Sequence, residues 1–108
     1  MKLFNLFSSA GEKEFAKELV KQLTREISPT LMEKRKALSV NKITRLLERT
    51  YQMATAYQKD HRLGVIKRAV LANSFKWELK SNGYPDEFVD MATEGLVVTL
   101  SKVDKTQT

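Results

Sequence analysis

The sequence predicts an all-α fold: a single-domain bundle of four main helices, with room for a fifth short one, around a buried central helix at about 65–81. Three observations carry this. Apolar residues recur at three- and four-residue spacing in four stretches. Ser28-Pro29, Leu63-Gly64 and Asn82-Gly83 divide those stretches, and no segment shows two-residue alternation bounded by turns. A chain of 108 residues, 42% hydrophobic and 30% charged, is long enough for one core and too short for two domains.

The first helix is expected over about 10–27. Ser9 and Glu12 stand at capping-box spacing, and Phe15, Ala16, Leu19, Val20, Leu23 and Ile27 share one face. Glu14 with Lys17 and Glu18 with Lys21 fill the solvated side. Ser28-Pro29 ends the helix, because the residue before a proline avoids helical angles. Residues 30–38 fit a loop or a short fifth helix equally well.

The second helix is expected over 40–61, with Ser39 as its cap. Val40, Ile43, Leu46, Leu47, Tyr51, Met53, Ala54 and Tyr57 fall on one face, and Lys42, Arg45 and Arg49 form a row opposite. Leu63-Gly64 should break it, since glycine supplies the left-handed angles that helix ends favour.

The third helix, 65–81, carries apolar side chains round most of its circumference: Val65, Ile66, Ala69, Val70, Leu71, Ala72, Phe75, Trp77 and Leu79. That pattern predicts burial, with Trp77 and Phe75 both in the core. Asn82-Gly83 stops it, and Pro85 opens a fourth helix over 85–101 with Phe88, Val89, Met91, Ala92, Leu96, Val98 and Leu100 facing inward. The strand-like run Leu96–Leu100 continues the helical pattern without a break. Short connections at 62–64 and 82–84 predict antiparallel neighbours. Residues 1–8 read as an apolar N-terminal arm, and 103–108 as a disordered polar tail.

Several chemistries are excluded by composition. With no cysteine there are no disulfides, thiolate sites or cysteine nucleophiles, and a reducing compartment fits. The one histidine, His61, follows Asp60, yet adjacent helical residues point about 100° apart, so the carboxylate does not orient the imidazole. A histidine near a helix C-terminus, favoured by the macrodipole, is the simpler reading. Asp86, Asp90 and Glu94, flanked by Glu87, form an acidic stripe without EF-hand or Glu-x-x-His spacing. The four glycines are scattered and build no phosphate loop. The expectation is a non-enzyme without cofactor, catalytic residues or metal.

The formal net charge of +6 is unevenly distributed. Residues 1–33 carry five basic and five acidic side chains, residues 34–77 eleven and two, and residues 78–108 three and six. The middle block is the best functional clue. Lys34, Arg35 and Lys36 precede the second helix, Lys42, Arg45 and Arg49 line it, and Lys59, Arg62, Lys67 and Arg68 surround the next turn. Such a surface neutralises phosphates without reading bases. Asp60 occupies the position where a helix-turn-helix needs a small residue, which argues against major-groove reading.

The sequence therefore predicts a small binding module whose basic face meets an acidic partner, foremost nucleic-acid backbone without strong sequence preference. The alternative is a protein-interaction or self-assembly module, homo-oligomers included. It would use Leu3, Phe4, Leu6 and Phe7 together with complementary basic and acidic helix faces. No run approaches the roughly 18 apolar residues of a membrane span. The apolar stretch near Met1 is interrupted by Asn5 and shorter than the roughly 7–15 residues of a signal h-region, so a cytoplasmic protein is expected.

Overall fold

The computed structural model describes the backbone of residues 10–30 and 40–106, and the side chains of 10–30 and 41–102. The apolar arm, the caps Ser9 and Ser39, and nearly all of the undecided stretch 30–38 lie outside these residues. Among those described, four helices follow one another: α1 (Ala10–Glu26), α2 (Val40–His61), α3 (Val65–Ser81) and α4 (Asp86–Thr106). No strand occurs among them. Helical backbone also resumes at Pro29 and Thr30.

Periodicity located α2 and α3 to the residue, and α1 and the start of α4 to within one. The end of α4 differs. It continues to Thr106, so most of the polar tail expected to be disordered is helical. No glycine or proline follows Leu100 to stop it.

Packing follows the apolar stripes in part: Met91 and Val98 of α4, expected to face inward, are 50% and 47% exposed. α1 and α3 lie together, as do α3 and α4, α4 and α2, and α2 and α1. The two remaining pairs therefore stand across diagonals. The 82–84 connection joins neighbours, as expected, but the 62–64 connection joins α2 to a helix diagonal to it. Both apolar flanks of α2 are already occupied, by α1 and α4. Phe75, Leu71 and Leu79 from α3, Leu19, Val20 and Ile27 from the α1 segment, and Val89 and Leu96 from α4 are almost wholly enclosed.

α3 is central to this core, yet its circumference is not covered all round. Phe75 has no exposed surface, whereas Trp77 is 55% exposed and Val65 and Ile66 are more open still. The expected burial of Trp77 is thus incorrect. Neighbours cover α3 only on the sides facing α1 and α4, and its apolar residues on the outward side remain in solvent. Lys80 Nζ lies 5.3 Å from the Trp77 ring centre.

The turn after α2 also departs from expectation. Leu63 N–H donates to Gln58 O at 3.1 Å and Arg62 N–H to Lys59 O at 3.3 Å, a Schellman pattern. Its left-handed position is held by Arg62, with φ 49°, while Gly64 has φ −79° and serves as the extended cap of α3. Burial of Leu63 fixes where the helix closes, which places the left-handed residue one step before it. After α3 the same motif uses a glycine. Tyr84 N–H donates to Leu79 O at 3.2 Å and Gly83 N–H to Lys80 O at 3.0 Å, with Gly83 at φ 92°.

The three tyrosines tie helices together. Tyr84 donates to the Ile27 carbonyl, Tyr51 to the Ala92 carbonyl at 2.7 Å, and Tyr57 to the Glu12 carboxylate at 3.0 Å. Glu12, read from sequence as a capping-box partner, is itself buried against Tyr57. The Tyr57 ring stacks between Phe15 (4.1 Å) and His61 (4.0 Å). Burial pushes the Tyr51 phenol up to about 12. It does the same for Tyr57, helped by the hydrogen bond and negative charge of Glu12. Tyr84 is also raised by burial, against a small opposing effect of the Thr24 hydroxyl.

Candidate functional site

Lys42, Arg45 and Arg49 stand one turn apart on the outward side of α2, and all three are exposed. They lie opposite Leu47 and Ala54, which face the core. Arg49 reaches into a small cleft of about 140 Å³ shared with α1, where Arg25, Glu26 and Met53 also contribute. Arg25 therefore joins the row from a neighbouring helix. Sequence reading missed it. Lys17, Lys21 and Arg25 are spaced four apart, which was legible, but their nearness to Arg49 depends on how α1 meets α2.

The rest of the basic block does not form one continuous face. Lys59 and Arg62 are exposed at the end of α2. Lys67 and Arg68 are half-buried on α3, and Arg68 lines a groove between α3 and α4. Lys34, Arg35 and Lys36 lie outside the described residues, as do Leu3, Phe4, Leu6 and Phe7. What the structure presents is a row on α2, a pair at one end of the bundle, and two residues on α3.

The acidic stripe does not cover the row. Asp86, Asp90 and Glu94 are exposed on α4, and Arg45 and Arg49 are exposed on α2, so neither set hides the other. Among the described residues, no group of three or more acidic, histidine or cysteine side chains converges as a metal ion would need. His61 Nδ1 lies 3.1 Å from the Tyr57 carbonyl, with its ring on Tyr57 and not on Asp60.

The exposed large apolar residues sit elsewhere. Val65, Ile66, Trp77, Met91, Val97 and Val98 all belong to α3 or α4. The basic row lies on α2, away from these exposed residues, and the cleft at Arg49 also holds Leu23, Leu46 and Met53. No described helix is long and apolar enough to cross a membrane.

These features define an all-α four-helix bundle with a segregated basic row. No family model matches the chain, and neither a curated protein nor a solved structure is measurably similar to it.

Proposed function

We propose that this protein is a small non-enzymatic binding module that holds nucleic-acid backbone through Lys42, Arg45 and Arg49, with Arg25 extending the row. The observation that carries this is the run of three exposed basic side chains on one side of α2, apart from the exposed large apolar residues, which lie on α3 and α4. Protein interfaces draw most of their affinity from buried aromatic and aliphatic anchors. A row of exposed basic side chains suits phosphates, where affinity comes from counterion release. Contacts to the backbone alone carry no base sequence, so binding is broadly sequence-independent. A cytoplasmic setting belongs to this reading and is supported by the absence of cysteine.

A salt titration with fluorescent DNA and RNA oligomers tests it. Replacing Lys42, Arg45 and Arg49 with glutamine should weaken binding to every sequence alike. The slope of log K against log salt should fall by roughly 0.9 per lost contact on duplex DNA, or about 0.7 on single strands. Absence of binding by the unaltered protein at about 50 mM salt, where screening is weak, overturns the proposal. Loss of an acidic protein partner in the triple variant, with nucleic-acid retention unchanged, would assign the row to protein recognition instead.

A further inference from the structure

A groove of about 580 Å³ runs between α3 and α4, walled by Val65, Ala69 and Ala72 on one side and by Val97 and Leu100 on the other. Val65 and Val97 are 73% and 46% exposed, and Ala69 is exposed between them. An exposed apolar patch with a polar rim marks a site of contact.

The charges round this groove are sorted by helix. α3 carries Lys67, Arg68, Lys76 and Lys80 against one acid, Glu78. Glu78 stands on the other flank of α3, in a cleft with Lys17 and Lys21 of α1. Arg68 and Lys76 line the groove itself, and exposed Lys80 follows Lys76 by one turn. α4 carries Asp86, Glu87, Asp90 and Glu94 before its first basic residue, Lys102. Asp90 precedes the groove residue Val97 by two turns, and Glu94 precedes Ser101 by two turns, so both acids share the groove side of α4. The face is basic along α3 and acidic along α4.

We propose that this face binds a second copy of the chain, related by a two-fold axis that runs along the groove. Such an interface is isologous, with the same patch contributed by both copies. The axis sets α3 of one copy over α4 of the other and preserves height along the bundle. α3 and α4 fold back on each other at the 82–84 turn, so Lys80 and Lys76 stand at about the height of Asp86, Asp90 and Glu94. Each copy's lysines therefore meet the other's carboxylates, and the contact is made twice. An axis across the helices would instead lay α4 on α4, acid against acid, which like-charge repulsion opposes. Charge thus selects one orientation, and the apolar groove residues Val65, Ala69 and Val97 are buried near the axis.

The area suffices. The 17 residues of α3 extend about 25 Å, and two helices side by side are about 20 Å wide. That gives a face on the order of 500 Å² before its ridges and groove are counted, against about 800 Å² of accessible surface per copy in a standard interface. The cleft that holds Arg25 and Arg49 lies between α1 and α2, on the opposite side of the bundle, and stays open in the dimer.

Sedimentation velocity of the full chain, free of nucleic acid and over a range of concentrations, is the test. The unaltered protein should approach twice the chain mass. Lys76→Glu with Lys80→Glu should weaken association by roughly tenfold or more, as should Asp90→Lys with Glu94→Lys. Mixed one to one, the two variants should restore the dimer, because each reversed helix then meets its opposite sign. A mass that stays monomeric up to about 1 mM overturns the proposal. So does a dimer that both variants keep, or a mixture that stays monomeric while each variant retains its helical spectrum. A second measurement needs no charge reversal. The sequence has no cysteine, so Asn73→Cys places a single nitroxide on the exposed groove wall and Glu48→Cys places one on exposed α2. The distance between copies should be shorter for the label at 73, and the reverse order overturns the proposal. Lys42, Arg45 and Arg49 are unchanged throughout, so failure here is separate from failure of nucleic-acid binding.

Discussion

Tyr51 lies across Gly95: its hydroxyl donates to the Ala92 carbonyl at 2.7 Å, and its ring occupies the space a side chain at position 95 would need. A Cβ there would stand 2.8 Å from Tyr51 Cζ and 3.0 Å from Cε2, and closer still to the hydroxyl oxygen. The glycine is a packing requirement between α2 and α4. Alanine in a helix interior is favoured over glycine by about 1 kcal/mol. Even so, Gly95→Ala should destabilise the protein, because overpacking costs typically about 1–3 kcal/mol. In a Tyr51→Val background the sign of the Gly95→Ala effect should reverse. Chemical denaturation of the four proteins forms the cycle, and an unchanged sign would show that the ring is not the obstacle.

Tyrosine ionisation should limit stability on the alkaline side. A phenol whose folded pKa lies above its unfolded value of about 10 contributes stability in full below that pH. The contribution is lost as pH rises through the folded value, about 12 for Tyr51 and Tyr57. Stability should therefore fall between about pH 10 and 12, and phenolate absorbance should rise late and together with loss of helix. A tyrosine titration centred near pH 10 with the helical spectrum intact would contradict this reading of the three hydroxyls.

Two aromatic residues two positions apart on α3 should behave oppositely. Phe75 is wholly enclosed, so Phe75→Ala should cost about 3–5 kcal/mol through lost transfer energy and a residual cavity. Trp77 is mostly in solvent, and Trp77→Ala should cost about 1 kcal/mol or less, in the range of ordinary surface changes. Urea unfolding of both variants measures the contrast. Similar losses would mean that the outward side of α3 is covered.

The two Schellman turns give a paired prediction. A side chain in left-handed backbone costs about 1–2 kcal/mol relative to glycine, so Arg62→Gly should raise stability by about 1 kcal/mol. Gly83→Ala should lower it by a similar amount, since position 83 already uses the left-handed region. Gly64→Ser should add a few tenths of a kcal/mol by capping α3, as position 64 is extended and no side chain caps it now. Thermal melts of the three single variants suffice, and a lower melting temperature for Arg62→Gly would refute the assignment of strain to that residue.

Local sequence determined where helices form in this chain. The three- and four-residue spacing from Val40 to His61 and from Val65 to Ser81, together with the Asn82-Gly83 stop, set elements whose hydrogen bonds are internal to each segment. Tertiary packing decided which sides of those helices are covered. Phe75 and Trp77 look alike in an apolar pattern, but burial depends on where α1 and α4 lie, and only Phe75 points between them. The left-handed residue after α2 was likewise set at a distance. Burial of Leu63 in the core fixed the closing hydrogen bond to Gln58 and put Arg62, not Gly64, in that conformation. The basic block reads as continuous along the chain, yet its residues diverge onto α2, the bundle end and α3, while Arg25 approaches Arg49 from another helix. Periodicity is a property of neighbours in sequence, whereas coverage and charge clustering are properties of neighbours in space, and the arrangement of helices round the core alone establishes the second.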